Sequence, residues 1–311
     1  MRSLLIFTLV GVGAQLVDGA LGMAFGVTAS TLLVLSGVAS AQASAAVHLA
    51  EVGTTLASGL SHWRFKNIDW QIVLKLGVPG AVGAFLGATL LSSLSTEDAA
   101  PFMAAILVCI GVYVLLRFSL RTPPAFRTGG TPHSAKFLTP LGIFGGFIDA
   151  SGGGGWGPVT TSTLLSRGKA APRTVIGSVS ASEFLVAVSA SLGFLVGLRE
   201  EFLNNIPIVA GLALGGVIAA PFAAWLVSKV SPALLGTAVG GVIVLSNSQK
   251  LVKYFDIQGP ASTVLYSSIV VVWAALVVYA WRTSKAPEYL PEKLDSPAPA
   301  VDEPAESDLK G

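Results

Sequence analysis

The 311-residue sequence contains little charge. Only 12% of its residues are charged and 52% are hydrophobic, whereas a soluble domain carries about 25% charged residues. A chain with so few charges cannot cover a water-facing surface, so we expect the lipid bilayer to be its solvent. The formal net charge of +2 says little about partners, and we expect no nucleic acid among them.

The sequence lacks the residue patterns that several kinds of chemistry require. Cys109 is the only cysteine, which excludes an intramolecular disulfide and a cysteine-based metal site. There is no G-x-x-x-x-G-K-[ST] loop, so ATP is not the direct energy source. No His/Cys/Asp cluster has metal-site spacing, and no Ser/His/Asp arrangement stands out. We therefore expect no metal, no cofactor and no enzymatic activity.

Long apolar runs dominate the chain instead. A run of about 20 residues crosses the hydrocarbon core as a helix. By this criterion full spans lie at 42–61, 72–94, 100–117, 173–197, 206–228, 233–249 and 263–282. Residues 283–311 combine prolines with acidic residues and have little apolar bulk, which predicts a disordered tail.

Two further apolar stretches are each interrupted by a glycine-rich segment that begins with an aspartate. DGALGMAFGVT (Asp18 to Thr28) interrupts residues 4–36, and DASGGGGWGPVT (Asp149 to Thr160) interrupts residues 138–166. A run of four glycines inside a membrane segment cannot be ordinary helix, so its backbone must be buried in protein or line a cavity. We call these two segments the first and the second break.

The breaks are candidate anion sites. The helix that resumes after each break has free N–H groups and the positive end of its dipole, which together suit an anion. We expect Asp18 and Asp149 to organise the breaks as helix caps rather than to touch the anion. The predicted anion-binding residues are Gly22, Gly26, Thr28, Ser151, Gly152, Gly153, Gly154, Gly155 and Thr160.

The breaks belong to a longer internal repeat. VHLAEVGTTLAS (47–58) aligns with VSASEFLVAVSA (179–190), which sets Glu51 against Glu183, and Thr28 corresponds to Thr160 with one residue inserted in the second copy. The predicted organisation is a first membrane repeat at 1–128, a second repeat plus a final spanning helix at 129–282, and the tail at 283–311. Many secondary transporters are built from such repeats.

The basic residues bear on how the broken segments sit in the membrane. If both segments cross fully, the cluster Arg167, Lys169 and Arg173 lies outside, whereas re-entrant segments place it in the cytoplasm. The positive-inside rule favours the re-entrant arrangement, although both stay open. The predicted fold is an all-α polytopic integral membrane protein. It has two homologous, inverted halves, each with a broken or re-entrant glycine-rich helix plus three or more spanning helices.

Glu51 and Glu183 are candidate pathway residues. A carboxylate at the centre of a span costs about 2.5–3.5 kcal/mol on insertion scales, so such residues usually face the interior and mark a pathway. His48 lies one turn before Glu51, where the pair could relay protons. Ser180 takes its place in the second half, which favours a local role for His48. The alternative for the glutamates is a structural, hydrogen-bonded carboxyl group.

These features resemble the sulfite exporter family (TauE/SafE, also called TSUP permeases). The resemblance covers roughly residues 4–282 and is carried by VDGALGMAFGV, by FIDASGGGGWGPV, by the glutamate-bearing helices and by the Asn-Ile pairs at 67 and 205. It implies a permease for sulfite, thiosulfate or small organosulfonates, usually at the bacterial inner membrane.

The resemblance leads to a specific expectation. We expect a secondary transporter that exports sulfite or a related small sulfur-containing anion, bound between the two breaks, with proton coupling through Glu51 and Glu183. The alternative is a passive anion channel, or an importer of thiosulfate or a small organosulfonate. A homodimer is left open.

Overall fold

The structure is a computed structural model that describes residues 2–21, 23–120, 134–167, 169–198, 206–227 and 231–284. Within these ranges the chain is helical and contains no strand, which confirms the predicted all-α class. Gly22 and the predicted tail from residue 285 onward lie outside the described residues.

The first half of the chain contains α1 (Arg2–Leu21), α2 (Phe25–Leu35), α3 (Ser40–Arg64), α4 (Trp70–Ser93) and α5 (Thr96–Leu120). The second half contains α6 (Ala135–Gly152), a π-helical turn (Gly157–Thr161), α7 (Ser162–Arg167), α8 (Pro172–Gly197), α9 (Ile206–Val227) and α10 (Pro232–Tyr254). A last helix, α11 (Pro260–Ser284), follows.

Four of the described helices are long and apolar enough to cross a membrane: Trp70–Ser93, Thr96–Leu120, Arg173–Gly197 and Pro260–Thr283. The helices α3 and α10 are of similar length, but each buries polar side chains, among them His48 and Glu51 in α3 and Asn247 in α10. Because those polar groups face the protein interior, they lower the hydropathy of the helix without meeting lipid.

Close helix contacts occur where glycine removes the side chain. Gly83 on α4 faces the carbonyl oxygen of Ile143 on α6, and Gly146 on α6 faces that of Gly80 on α4. Gly215 on α9 likewise faces the carbonyl oxygen of Thr8 on α1. Small residues allow helix backbones to approach in this way. The helix before each break thus packs against a helix of the other half.

The helices α3 and α8 pack against each other in opposite directions. The rings of His48 and Phe194 lie 6.1 Å apart at one end of the pair. Towards the other end, the Ser58 and Ser180 hydroxyls are hydrogen-bonded at 2.8 Å. Since the contacts on α8 move back along the chain as those on α3 move forward, the two helices are antiparallel.

The glycine contacts yield a test of packing. We expect Gly146→Ala to destabilise the protein by about 1–3 kcal/mol, because its methyl group would overlap the backbone of Gly80 and force α4 and α6 apart. Gly53→Ala in α3 is the matched control, since the added methyl group would point into open space. Thermal unfolding in detergent measures both, and an equal melting temperature for the two variants would contradict the packing argument.

Candidate functional site: a carboxyl-lined cavity between the two breaks

Within the second break, the backbone leaves the right-handed helical region at Gly153. Helix α6 ends at Gly152, and Gly153 and Gly154 have φ of 73° and 139°, values that favour glycine because it has no Cβ. The N–H of Gly154 donates to the carbonyl oxygen of Asp149 at 2.8 Å, which closes the end of the helix. Helical structure then resumes in the π-helical turn that begins at Gly157.

Both aspartates accept hydrogen bonds from the start of the next helix. Asp149 Oδ1 accepts from the N–H of Trp156 at 2.8 Å, and Asp18 Oδ1 accepts from the N–H of Phe25 at 3.0 Å. Each bond spans seven positions of the chain. Asp18 Oδ1 also accepts from the N–H of Ala24 at 2.8 Å. The carboxylates therefore satisfy N–H groups that have no acceptor within their own helix.

The two breaks contact each other directly. A Cβ on Gly26 would lie 2.8 Å from the Cα of Gly154, and a Cβ on Gly157 would lie 2.9 Å from the Cα of Met23. Gly26 and Gly157 occupy corresponding positions after their aspartates, so the contact is reciprocal. The Ser30 hydroxyl also donates to the carbonyl of Gly153, across the same interface.

The π-helical turn accounts for the residue inserted in the second copy. The insertion that aligns Thr28 with Thr160 falls within Gly157–Thr161, the five residues of this turn. A π turn holds one more residue than an α turn of the same helix, and such turns are frequent at functional sites. The inserted residue therefore falls in a turn that can accommodate it.

A cavity of about 300 Å³ lies beside the contact between the breaks. Four carboxyl side chains line it, namely those of Asp18, Glu51, Asp149 and Glu183. The other polar side chains of the lining are Gln15, Thr54, Thr55, Ser58, His62, Thr161 and Ser180. Among the described residues no three His, Cys, Asp or Glu side chains are grouped so as to hold a metal ion.

Glu51 is the most enclosed of the glutamates in this cavity. Its side chain is buried, with 3% of the residue exposed, and Oε2 has no hydrogen-bond partner among the described residues. Oε1 lies 2.9 Å from the position that a Cβ on Gly26 would take. A buried polar atom without a partner costs free energy. Glu51 is thus placed against the first break with one oxygen free to bind a proton or a ligand.

His48 joins the first half of the chain to the second break. Its Nδ1–H donates to the carbonyl oxygen of Ser44 at 2.8 Å, and Nε2 lies 3.1 Å from Asp149 Oδ2. Since a carbonyl can only accept, Nδ1 carries a hydrogen. A second proton must then lie between Nε2 and Oδ2, because two lone pairs facing each other would repel. Asp149 therefore holds the helix start with one oxygen and His48 with the other.

The structure brings some of the predicted anion-binding residues to the cavity and keeps others away. Gly26 and Gly155 line it. The hydroxyls of Ser151 and Thr160 instead donate to carbonyl oxygens of their own helical turns, those of Phe147 and Trp156, each at 2.5 Å. Thr28, Gly152, Gly153 and Gly154 are buried and do not line the cavity. Gly22, the remaining predicted position, lies outside the described residues.

Sequence reasoning missed the polar face of α3. Thr54, Thr55, Ser58 and His62 follow Glu51 at intervals of three, four, seven and eleven residues and all line the cavity. Residues at these intervals share one face of a helix. The signal was therefore present in the sequence, in the spacing of small polar residues around a membrane glutamate.

The two bonds of Asp149 can be tested by a pair of variants. Asp149→Ala leaves the Trp156 N–H and His48 without their partner, which costs about 1–3 kcal/mol for each unsatisfied buried group. Asp149→Asn should be close to the wild-type protein in melting temperature, because the amide oxygen accepts from Trp156 and the amide NH₂ donates to Nε2. If Asp149→Asn destabilises the protein as much as Asp149→Ala, the assignment of a proton between His48 Nε2 and Asp149 Oδ2 is contradicted.

Comparison with known proteins places the chain among membrane transporters. It is 47% identical over 279 residues to the probable membrane transporter protein YtnM of Bacillus subtilis (strain 168), and the alignment covers 90% of this chain and 93% of that protein. It is 24% identical over 194 residues to the probable membrane transporter protein YdhB of the same organism, covering 62% of this chain and 79% of the relative. No solved structure matches.

The family comparison agrees with the resemblance seen in the two breaks. The family described as sulfite exporter TauE/SafE matches residues 7–249, a range that includes both breaks, both glutamates and the whole lining of the cavity. The chain therefore belongs to the sulfite exporter TauE/SafE family of membrane transporters.

Proposed function

We propose that this protein is a secondary transporter of the bacterial plasma membrane that exports sulfite or a related small sulfur-containing anion. The observation that carries the proposal is the cavity between the two breaks, which is lined by an aspartate and a glutamate from each half. A site built from corresponding residues of two repeats is the usual arrangement in secondary transporters.

The two halves are, in this proposal, inverted repeats. The antiparallel packing of α3 and α8 supports this, because these are the glutamate-bearing helices of the two halves. The reciprocal contacts of Gly26 with Gly154 and of Gly157 with Met23 are also what a two-fold relation between the halves would produce. Inversion would let the two halves exchange conformations and open the site to alternate sides of the membrane.

The anion would bind at the start of α2. The N–H groups of Ala24 and Phe25 are taken by Asp18, but those of Gly26 and Val27 belong to the first turn and have no acceptor within the helix. Both residues line the cavity. These donors and the positive end of the helix dipole suit sulfite, whose three oxygens accept hydrogen bonds.

The carboxyl groups make proton binding part of this proposal. Two like charges 4 Å apart repel by about 4 kcal/mol at an effective dielectric constant of 20, so an anion beside several ionised carboxylates would bind poorly. A protonated carboxyl removes this repulsion and donates a hydrogen bond to the anion. Glu51 is the best candidate because its Oε2 is buried and no described residue hydrogen-bonds to it, and Glu183 would act with it.

A passive channel is disfavoured by the closure of one side. The cavity follows the second half of α3, whereas Ser44, Val47 and His48 in the first half are fully buried. A channel requires a continuous path for the ion. A site that is open towards one side of the membrane and closed towards the other is instead typical of a transporter in one of its two access states.

Coupling can be measured in proteoliposomes loaded with sulfite. We expect Glu51→Gln to lower pH-gradient-dependent sulfite flux by about tenfold or more, since the side chain can no longer exchange a proton, and Glu183→Gln to lower it in the same direction. Glu97→Gln is the matched control, because Glu97 is an exposed residue of the first turn of α5. If Glu51→Gln and Glu183→Gln both keep the wild-type pH-gradient-dependent flux, the glutamates do not couple protons to transport.

The choice of anion can be tested by binding alone. A ligand present at 100 times its dissociation constant stabilises the folded state by about 2.7 kcal/mol, so sulfite should raise the melting temperature of the detergent-solubilised protein. Thiosulfate, taurine and chloride, compared at equal ionic strength, rank the alternatives. A shift with chloride as large as that with sulfite would exclude a selective sulfur-anion site.

A further inference from the structure

The two glutamate-bearing helices differ in the residues that follow their glutamates. After Glu51, the cavity-facing side of α3 carries a hydroxyl or an imidazole at every position: Thr54, Thr55, Ser58 and His62. The corresponding residues after Glu183 on α8 are Val186, Ala187, Ala190 and Phe194. All four are apolar and 0% exposed. The two copies of the repeat therefore share the glutamate, but the residues that follow it are polar in the first copy and apolar in the second.

The same division is seen before the glutamates. On α8, Ile176, Val179 and Ser180 line the cavity, whereas on α3 the corresponding residues Ser44, Val47 and His48 are 0% exposed. Because α3 and α8 are antiparallel, the second half of α3 and the first half of α8 lie on the same side of the glutamates. That side is polar and hollow, and the opposite side is packed.

The packed side is closed by contacts between the two halves. The ring of Phe194 lies 6.1 Å from that of His48, and His48 is held by Ser44 and Asp149. Ser44 also donates to the carbonyl oxygen of Ala150 at 2.7 Å. The Phe194 ring therefore packs beside the polar cluster that Ser44, His48 and Asp149 form on this side.

We propose that Thr54, Thr55, Ser58 and His62 line the water-filled path between the cavity and one membrane surface, and that Val186, Ala187, Ala190 and Phe194 form the apolar plug that closes the opposite side. This assignment rests on the proposed transport function. An apolar constriction excludes ions by excluding water, so the plug would hold the anion site closed on that side until α3 and α8 separate.

The mouth of the polar path lies among basic residues. His62 is followed by Arg64 at the end of α3 and by Lys66, both exposed, and Arg173 is exposed in the first turn of α8. A cluster of positive charge at the entrance of a cavity raises the local concentration of anions. The path therefore leads from a surface that attracts the proposed substrate to the carboxyl-lined site.

Thiol labelling in water tests the path and the plug without reference to any substrate. The single cysteine of the chain, Cys109, is first replaced by serine. Single variants then place a thiol in the path (Thr55→Cys, Ser58→Cys) or in the plug (Ala187→Cys, Ala190→Cys). Ala57→Cys is the control, because Ala57 is exposed on the same helix but does not line the cavity.

The reagent is a charged methanethiosulfonate, which reacts only with thiols that reach water. We expect the two path variants to react at least about tenfold faster than the two plug variants and the Ala57 control, since only the path is hydrated. Equal rates at Ser58→Cys and Ala190→Cys would overturn the assignment. Rapid labelling of Ala57→Cys would overturn it as well, because exposure on the surface of α3 would then account for the reaction.

Phe194 offers a second, independent measurement. Phe194→Ala should raise the labelling rate of Ala190→Cys by about tenfold, because it removes the largest side chain of the plug and admits water, whereas Phe194→Leu should leave it low. An unchanged rate in Phe194→Ala would refute the plug. If the path variants label faster than the plug variants but no sulfite flux is found, the assignment of the path and plug is supported and the proposed substrate is contradicted.

Discussion

The structure depends on satisfying two stretches of non-helical backbone without water. Inside a membrane each unpaired N–H or C=O group costs several kcal/mol. Asp18 and Asp149 meet this constraint by accepting hydrogen bonds from the first N–H groups of the helical segments that follow. Once the breaks are capped in this way, their backbones can approach within van der Waals contact at Gly26 and Gly154, and the carboxyl-lined cavity forms beside that contact.

The two halves carry acidic residues at corresponding positions but differ in the side chains around them. The capping aspartates and the glutamates occupy corresponding positions in the sequence. Within the part of the chain that the structure describes, Asp149 alone of the two aspartates has a histidine partner, since Ser180 stands where the other half has His48. The hydroxyl-rich face of α3 likewise corresponds to an apolar face on α8. Such differences make the two sides of the cavity chemically inequivalent.

The sequence was sufficient to predict the helical class, the family and the four acidic residues that line the cavity. Glu51 and Glu183 stood out because a carboxyl group inside a span is costly and usually marks a pathway, and Asp18 and Asp149 stood out because each opens a glycine-rich break. The hydroxyls of Ser151 and Thr160 also matched the expectation of an anion site. In the structure they bond to their own backbone, a local option that every membrane serine and threonine has and that no spacing reveals.

The sequence by itself determined that the chain is a helical membrane protein, that two breaks begin with aspartate, and that one residue is inserted in the second. The first of these properties follows from composition, and the other two follow from the order of residues in the two copies. Only the tertiary structure decided that Gly26 meets Gly154, that His48 reaches Asp149, and that one face of α3 is hollow while its counterpart on α8 is packed. Those contacts join residues far apart in the chain, and their geometry depends on how all the helices pack together.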